Sequence, residues 1–268
     1  MLKTVRQKEL LSILEKDGYL STANAADHFA VSIATIRRDL DDLEQQGLLK
    51  KNYGGAERCL NPEVSAALVS SFQSRQQTFH EAKVAIAAQA LKYIPDYSTI
   101  ALDAGSTIYE LCLLLGARKD LIVICGDIHS AQAVLASHNR AYMMGGFLTS
   151  YGTSSGDFAR EFVDRINGID YFLCSADCAH PDEGLSNNEI GINEYKKCFI
   201  KKANKTIALL DHSKFNRKAF YKMCSFTDID LLITDSQTPP NIIDHIRSGG
   251  TEVEIAPCGQ NKNAHDPT

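Results

Sequence analysis

The chain of 268 residues lacks any apolar run approaching the ~20 residues of a membrane span, and no apolar stretch near its start resembles a signal peptide. A cytoplasmic protein with no membrane partner is expected. It also lacks a CxxC pair. The eight cysteines, at 59, 112, 125, 174, 178, 198, 224 and 258, are scattered and mostly sit in apolar segments, and the eight histidines are equally dispersed. Reduced core thiols follow, with no metal site and no cofactor. Basic charge is not in surplus: the chain carries −5, and residues 1–58 hold nine Lys/Arg against nine Asp/Glu. A strongly basic nucleic-acid domain is thereby excluded, and net charge says nothing for or against DNA. No internal repeat is present. Hydrophobic content of 44% and charged content of 23% are those of a globular protein, and the length suits one small and one medium domain.

What the chain does have is the run TIRRDLDDLEQQGLL at 35–49, led in by FAVS at 29–32. Ser32 can cap a helix start with its hydroxyl. At ~100° per residue Ile36, Leu40 and Leu43 form one apolar stripe, while Ala34, Arg38, Asp41 and Gln45 point the other way and Thr35 and Arg37 flank. An apolar back with guanidinium, hydroxyl and amide groups in front suits a major groove, although an amphipathic surface helix has the same stripe. Upstream, Val5, Leu10, Ile13 and Leu14 recur at helical spacing, and a second short helix begins near Ser21 with Ala25, Ala26 and Phe29 inward. Downstream, residues 48–53 look like a strand and Gly54-Gly55 suits a tight hairpin tip. This is the pattern of a winged helix-turn-helix. Its candidate DNA contacts are Ser32, Thr35, Arg37, Arg38, Lys50, Lys51 and Tyr53, with Lys3, Arg6 and Lys8 able to converge on the same side and four acids crowded into 39–44.

The segments RQKELLSIL (6–14), FAVSIATIRRDLDDLEQQGLL (29–49) and NYGGA (52–56) resemble the N-terminal domain of DeoR-type bacterial repressors. Periodicity then fades. Residues 1–57 read as the winged helix-turn-helix domain, 58–79 as a linker with one short helix, 80–258 as an α/β domain, and 259–268 as a disordered tail.

In the α/β part a helix at 80–94, with Val84, Ile86, Ala87, Ala90 and Leu91 apolar, precedes a strand at 98–103. A helix at 106–115, a strand at 121–125, a helix at 128–137 and a strand at 141–144 follow, with later strands at 169–175, 205–210, 229–234 and 252–255. Short continuous apolar strands alternating with helices indicate a mostly parallel sheet covered on both faces. Ligands bind such sheets beyond the carboxyl ends of the strands. There stand LDAGST at 102–107, where Ser106 and Thr107 open a helix that either is simply capped or cradles a phosphate; Gly126-Asp127; and Gly145-Gly146, which permit close approach of backbone to ligand. Beyond them come Asp177, Glu194-x-x-Lys197 on a helix, which as a bland alternative form a solvated ion pair, and Lys214 in DHSKF.

In this order, and with DIDLLITD at 228–235, these segments resemble the C-terminal sensor domain of the DeoR family. The resemblance implies a fold similar to ribose-5-phosphate isomerase, glucosamine-6-phosphate deaminase and CoA-transferases. It also implies a homo-oligomeric (dimeric or tetrameric) repressor of a carbohydrate operon, released from double-stranded operator DNA by a phosphorylated sugar or related metabolite. It implies that Gly105, Ser106 and Thr107 hold the phosphate, with Asp103, Asp177, Glu194 and Lys214 near the sugar and Gly145, Gly146 and Lys197 at the same site. Gly126-Asp127 stands where the family commonly has Thr-Asn, so Asp127 is expected to meet hydroxyls or lie outside the site. Two other classes stay open: an isomerase or deaminase with Glu194 or Asp177 as base and Lys214 as electrophilic stabiliser, and a DNA-binding scaffold with an empty sensor.

Overall fold

The computed structural model describes residues 3–17, 19–45, 49–52, 54–58, 72–149 and 151–258, divided into two units, Met1–Ser70 and Ser71–Thr268. Outside the described residues lie Tyr53, the linker over 59–71 and the tail over 259–268, as do the side chains of Val5, Lys8, Gln45 and Lys50.

In the first unit α1 (Lys3–Asp17), α2 (Thr22–Phe29) and α3 (Ile33–Gln45) enclose one core with the strands β1 (Tyr19–Ser21), β2 (Leu49–Asn52) and β3 (Gly55–Arg58). Leu10 and Leu14 of α1, Ala25 and Ala26 of α2, and the stripe Ile36, Leu40 and Leu43 of α3 are all buried there. The stripe is the one that the 3.6-residue period selects. Ala30, at φ 50, ends α2 in the left-handed region, and the Ser32 hydroxyl accepts a hydrogen bond from the Thr35 N–H at 3.1 Å, so α3 starts at the expected cap. β2 and β3 form the wing, and β1 joins them in the antiparallel order β1-β3-β2. The strand Tyr19–Ser21 is an addition to the helical domain and hairpin read from sequence; three residues are too few for a period to show. It also explains Gly55, where a Cβ would sit 2.1 Å from the Leu20 carbonyl oxygen.

The second unit opens with α4 (72–77) and α5 (His80–Leu91). Residues 72–79, read from sequence as the end of a linker, belong to this unit: Phe72 is buried, stacked on His129 with ring centroids 3.9 Å apart. β4 (Thr99–Leu102), α6 (Ser106–Leu114), β5 (Ile122–Cys125), α7 (Ile128–Ala136) and β6 (Arg140–Met143) follow as the alternation predicts. Then come a hairpin of β7 (Phe147–Leu148) and β8 (Ser154–Ser155), α8 (Asp157–Asp164) and β9 (Ile169–Cys174). The rest is β10 (Cys178–His180), β11 (Gly184–Asn187), α9 (Ile190–Lys202), β12 (Ala203–Leu209), β13 (Tyr221–Cys224), β14 (Leu231–Asp235), α10 (Pro240–Ser248) and β15 (Glu252–Ala256).

Seven strands make one parallel sheet in the order β15-β14-β12-β9-β4-β5-β6. Alternate residues of its strands face opposite layers. Ile100 and Leu102 pack with Ile86, Ala90, Ile108 and Leu111 from α5 and α6. Ala101 and Phe172 pack on the other side with Val163, Phe199 and Ile243 from α8, α9 and α10. One expected core position is wrong: Val84 is 39% exposed, because the buried face of α5 is Ala82, Lys83, Ile86, Ala87 and Ala90. That face carries a lysine, which an apolar count passes over.

The chain enters the sheet at β4, runs outward through β5 and β6, then returns to lay β9 on the other side of β4 and runs outward the opposite way. The order therefore reverses between β4 and β9, and the crevice beyond their carboxyl ends is where such sheets take ligands.

Candidate functional site

Two places carry functional side chains, one in each unit. In the first, α3 buries its apolar stripe and thereby turns Arg37 and Arg38 outward; both are exposed, and neither is held by a hydrogen bond or ion pair among the described residues. Ser32 is exposed beside them, its hydroxyl 2.9 Å from that of Thr35. Of the wider basic face read from sequence, Lys3, Arg6 and Lys51 are each paired with an acid of α3. Arg6 is buried and ion-paired with Asp39 at 2.5 Å, Lys3 pairs with Asp42 at 2.6 Å, and Lys51 pairs with Asp41 while its backbone N–H donates to Glu44 Oε1 at 2.8 Å. The acids at 39–44 thus pair with three of the expected cations, and Asp41 and Asp42 do so within one helical turn of Arg37 and Arg38. The physical reason is local neutralisation: Asp39 is almost fully buried, and a buried carboxylate needs a partner.

In the second unit a cavity of about 420 Å³ opens at the switch between β4 and β9. That size suits a small metabolite. Strand ends and the helices beside them build it. The turn after β4 places Gly105 at φ +143, a left-handed conformation that favours glycine, and Ser106 and Thr107 start α6 on the cavity wall. Their N–H groups belong to a helix start, which favours an anion.

Behind this turn Asp103 is fully buried. Its Oδ2 accepts from the Ser175 N–H at 2.9 Å and lies 2.7 Å from Lys196 Nζ, which also donates to the Ser175 carbonyl at 3.1 Å. The Tyr195 hydroxyl stands 3.5 Å from Asp103 Oδ1, and burial next to that carboxylate pushes the phenol well above its ordinary value. One ion pair therefore ties together the ends of β4 and β9 and the middle of α9.

After β5, Asp127 caps α7. It accepts from the N–H groups of His129 and Ser130 at 2.9 and 3.0 Å and from the Ser130 hydroxyl at 2.7 Å. Burial outweighs these bonds and raises its pKa. After β12, Asp211 Oδ1 accepts from Ser213, while its buried Oδ2 has no hydrogen-bond partner among the described residues. Lys83 projects from α5 into the same wall, bonded to the carbonyls of Arg75 and of Thr78, the latter at 2.6 Å; burial lowers its pKa, opposed by Asp211.

Of the residues expected at a ligand, Gly105, Ser106, Thr107, Asp177 and Lys214 line the cavity, and Asp103 stands directly behind it. Asp177 is held by Asn188, whose N–H donates to Oδ2 at 2.9 Å. Four others are elsewhere. Glu194 and Lys197 pair with each other at 3.6 Å on the open side of α9, the bland alternative of the sequence reading. Gly145 and Gly146 do not line the cavity; a Cβ on Gly146 would lie 2.8 Å from the Ser155 carbonyl oxygen, so close backbone packing explains that glycine. Sequence reading missed Lys196, Lys83, Asp211 and Arg75. For the first the signal was present: Ile192, Tyr195, Lys196 and Phe199 follow the i, i+3, i+4, i+7 spacing of a buried helix face, with a lysine inside it.

A winged helix with two outward arginines, and in the same chain a doubly wound α/β domain with a cavity bearing charged side chains at its switch point, define a ligand-responsive DNA-binding protein. Family comparison agrees. The profile of the DeoR C terminal sensor domain matches residues 78–236, more than half of the chain, and that of the DeoR-like helix-turn-helix domain matches residues 6–61. The chain belongs to the DeoR family.

Among its relatives, the HTH-type transcriptional regulator GolR of Listeria innocua is 30% identical over 94% of this chain and 98% of its own. The glycerol-3-phosphate regulon repressor of Escherichia coli K12 is 26% identical over 95% of this chain and all of its own, and the transcriptional repressor AccR of Agrobacterium fabrum is 27% identical over 87% and 90%. Among solved structures, a D-ribose-5-phosphate isomerase in complex with phospho-erythronic acid shares 21% identity at a TM-score of 0.38, covering 50% of this chain and 52% of that one.

Proposed function

We propose that this protein represses an operon of carbohydrate or polyol metabolism in the cytoplasm, as a dimer or tetramer on a partly palindromic operator, and that a phosphorylated sugar or related metabolite in the 420 Å³ cavity controls its hold on DNA. The observation that carries this reading is the cavity itself, whose lining includes the helix start at Ser106-Thr107, Lys214, and the carboxylates Asp177 and Asp211. The first set suits a phosphate, the second sugar hydroxyls. Asp103 positions the turn from behind the cavity, and Lys196, which pairs with it, lies in the lining itself. By linkage, the effector must bind the DNA-bound and free forms unequally, and DNA must weaken the effector by the same factor. The role is regulatory and not catalytic, since an appended DNA reader accounts for the whole chain and turnover would account for half of it.

The test is fluorescence anisotropy on DNA from upstream of its own and neighbouring genes, with and without glycerol 3-phosphate, ribose 5-phosphate and glucose 6-phosphate. The name of the Escherichia coli relative puts glycerol 3-phosphate first. Saturable binding reversed by one ester and not by its unphosphorylated parent is the expected result, and Ser106→Glu, which sets a carboxylate in the phosphate cradle, should abolish that response. No specific binding to any such DNA would overturn the repressor reading.

A further inference from the structure

Residues 62–77 fall between the two family matches, yet α4 stands on the cavity wall, with Phe72, Arg75, Thr78 and Phe79 all facing the space. Among the described residues the contacts of α4 run to three neighbouring helices. Phe72 stacks on His129 and meets Tyr109 edge-on at 5.1 Å, Gln76 donates to Glu110 at 2.9 Å, and Lys83 caps the carbonyls of Arg75 and Thr78. Three of these anchors belong to α6 and α7, the helices whose starts face the cavity. At the far end Phe79 sits at φ 53, a conformation that a bulky residue adopts only when its surroundings impose it. Arg75 lies over the Tyr151 ring at 4.8 Å, at the rim of the same space.

We propose that residues 72–79 form a strap that the effector closes: Arg75 meets the anionic end of the ligand, and occupancy tightens α4 against the cavity wall. This rests on the effector reading above and names the element through which that site is regulated. A guanidinium offers a planar pair of donors to phosphate oxygens, and a segment that gains such a contact becomes more protected. The N-terminal edge of the sensor unit would then be part of the binding site, and the ligand would act on it directly.

The chain contains no tryptophan, so Phe72→Trp places a sole indole in the strap. The full chain is titrated with glycerol 3-phosphate, ribose 5-phosphate, glucose 6-phosphate and inorganic phosphate, with binding followed independently by calorimetry on the wild type. For an ester that binds, the indole emission should shift saturably at the calorimetric midpoint, and Arg75→Ala should raise the Kd about tenfold or more. Should Phe72→Trp not fold, amide exchange of residues 72–79 in the wild type should slow on adding the same ester. Calorimetric binding with an unmoved indole, or unslowed exchange, and an unchanged Kd in Arg75→Ala would overturn the strap and leave the effector reading standing. If no ester binds the wild type, both fall together.

Discussion

Lys196 Nζ lies 2.7 Å from Asp103 Oδ2, and the two side chains are almost completely sealed from solvent. The pair sits where the sheet order reverses, so its geometry sets the floor of the cavity. Removing one partner of a buried pair strands a charge, which costs about 3–5 kcal/mol, whereas replacing both is far milder. Lys196→Met should therefore lower the urea stability of the sensor unit by that amount, and Asp103→Asn combined with Lys196→Met should recover most of it. A single variant as stable as wild type would show that the pair does not organise the floor.

The Arg6–Asp39 pair, at 2.5 Å and buried, plays the same part beneath the recognition helix. Arg6→Ala should destabilise the DNA-binding unit by about 3–5 kcal/mol, read as an earlier loss of helical ellipticity on heating. Operator affinity should fall with it. An unaltered melt with weakened DNA binding would instead mark Arg6 as a direct contact.

Arg38 and Lys51 should behave differently on DNA. Arg38 is exposed and held by no neighbour among the described residues, and a guanidinium that reads a base is worth about 1–3 kcal/mol. Arg38→Ala should raise the operator Kd by the corresponding factor in anisotropy. Lys51 pairs with Asp41, and its loss should weaken binding less than the loss of Arg38. The reverse order would show that the wing, and not α3, dominates recognition.

Asp127 gives a pH signature. Burial raises its pKa above the ordinary carboxylate value despite the hydrogen bonds from Ser130 and His129. The folded protein therefore holds this proton more tightly than the unfolded chain does, and its contribution to stability falls as pH rises from the ordinary value through the raised one. Asp127→Asn keeps an acceptor oxygen for the two N–H groups and removes that penalty. Its urea midpoint should exceed wild type at about pH 7, and the gap should narrow towards about pH 4. A gap independent of pH would contradict this sign.

Local periodicity made the architecture legible. The stripe Ile36, Leu40, Leu43 and the alternation of apolar strands with helices are properties of neighbouring residues, so α3 and the seven parallel strands stand where the pattern puts them. The strand-end rule likewise brought out Gly105, Ser106, Thr107, Asp177 and Lys214 before any coordinates. Short pieces escaped. β1 has three residues and β7 and β8 two each, whereas the one short helix read within 58–79 is present at 72–77.

The sequence by itself determined the two units, the period of each element and the residues that follow each strand, because these depend on backbone geometry and near-neighbour burial. Only the tertiary structure decided which charges are partners. Asp103 and Lys196 are 93 positions apart, and their meeting depends on β9 returning to pair with β4, a choice made by packing across the whole sheet. The same packing turned Lys196 inward and left Lys197, its neighbour in sequence, on the open face with Glu194. It also drew Arg6 under α3 and away from any DNA-facing side, because a buried carboxylate at Asp39 must be neutralised.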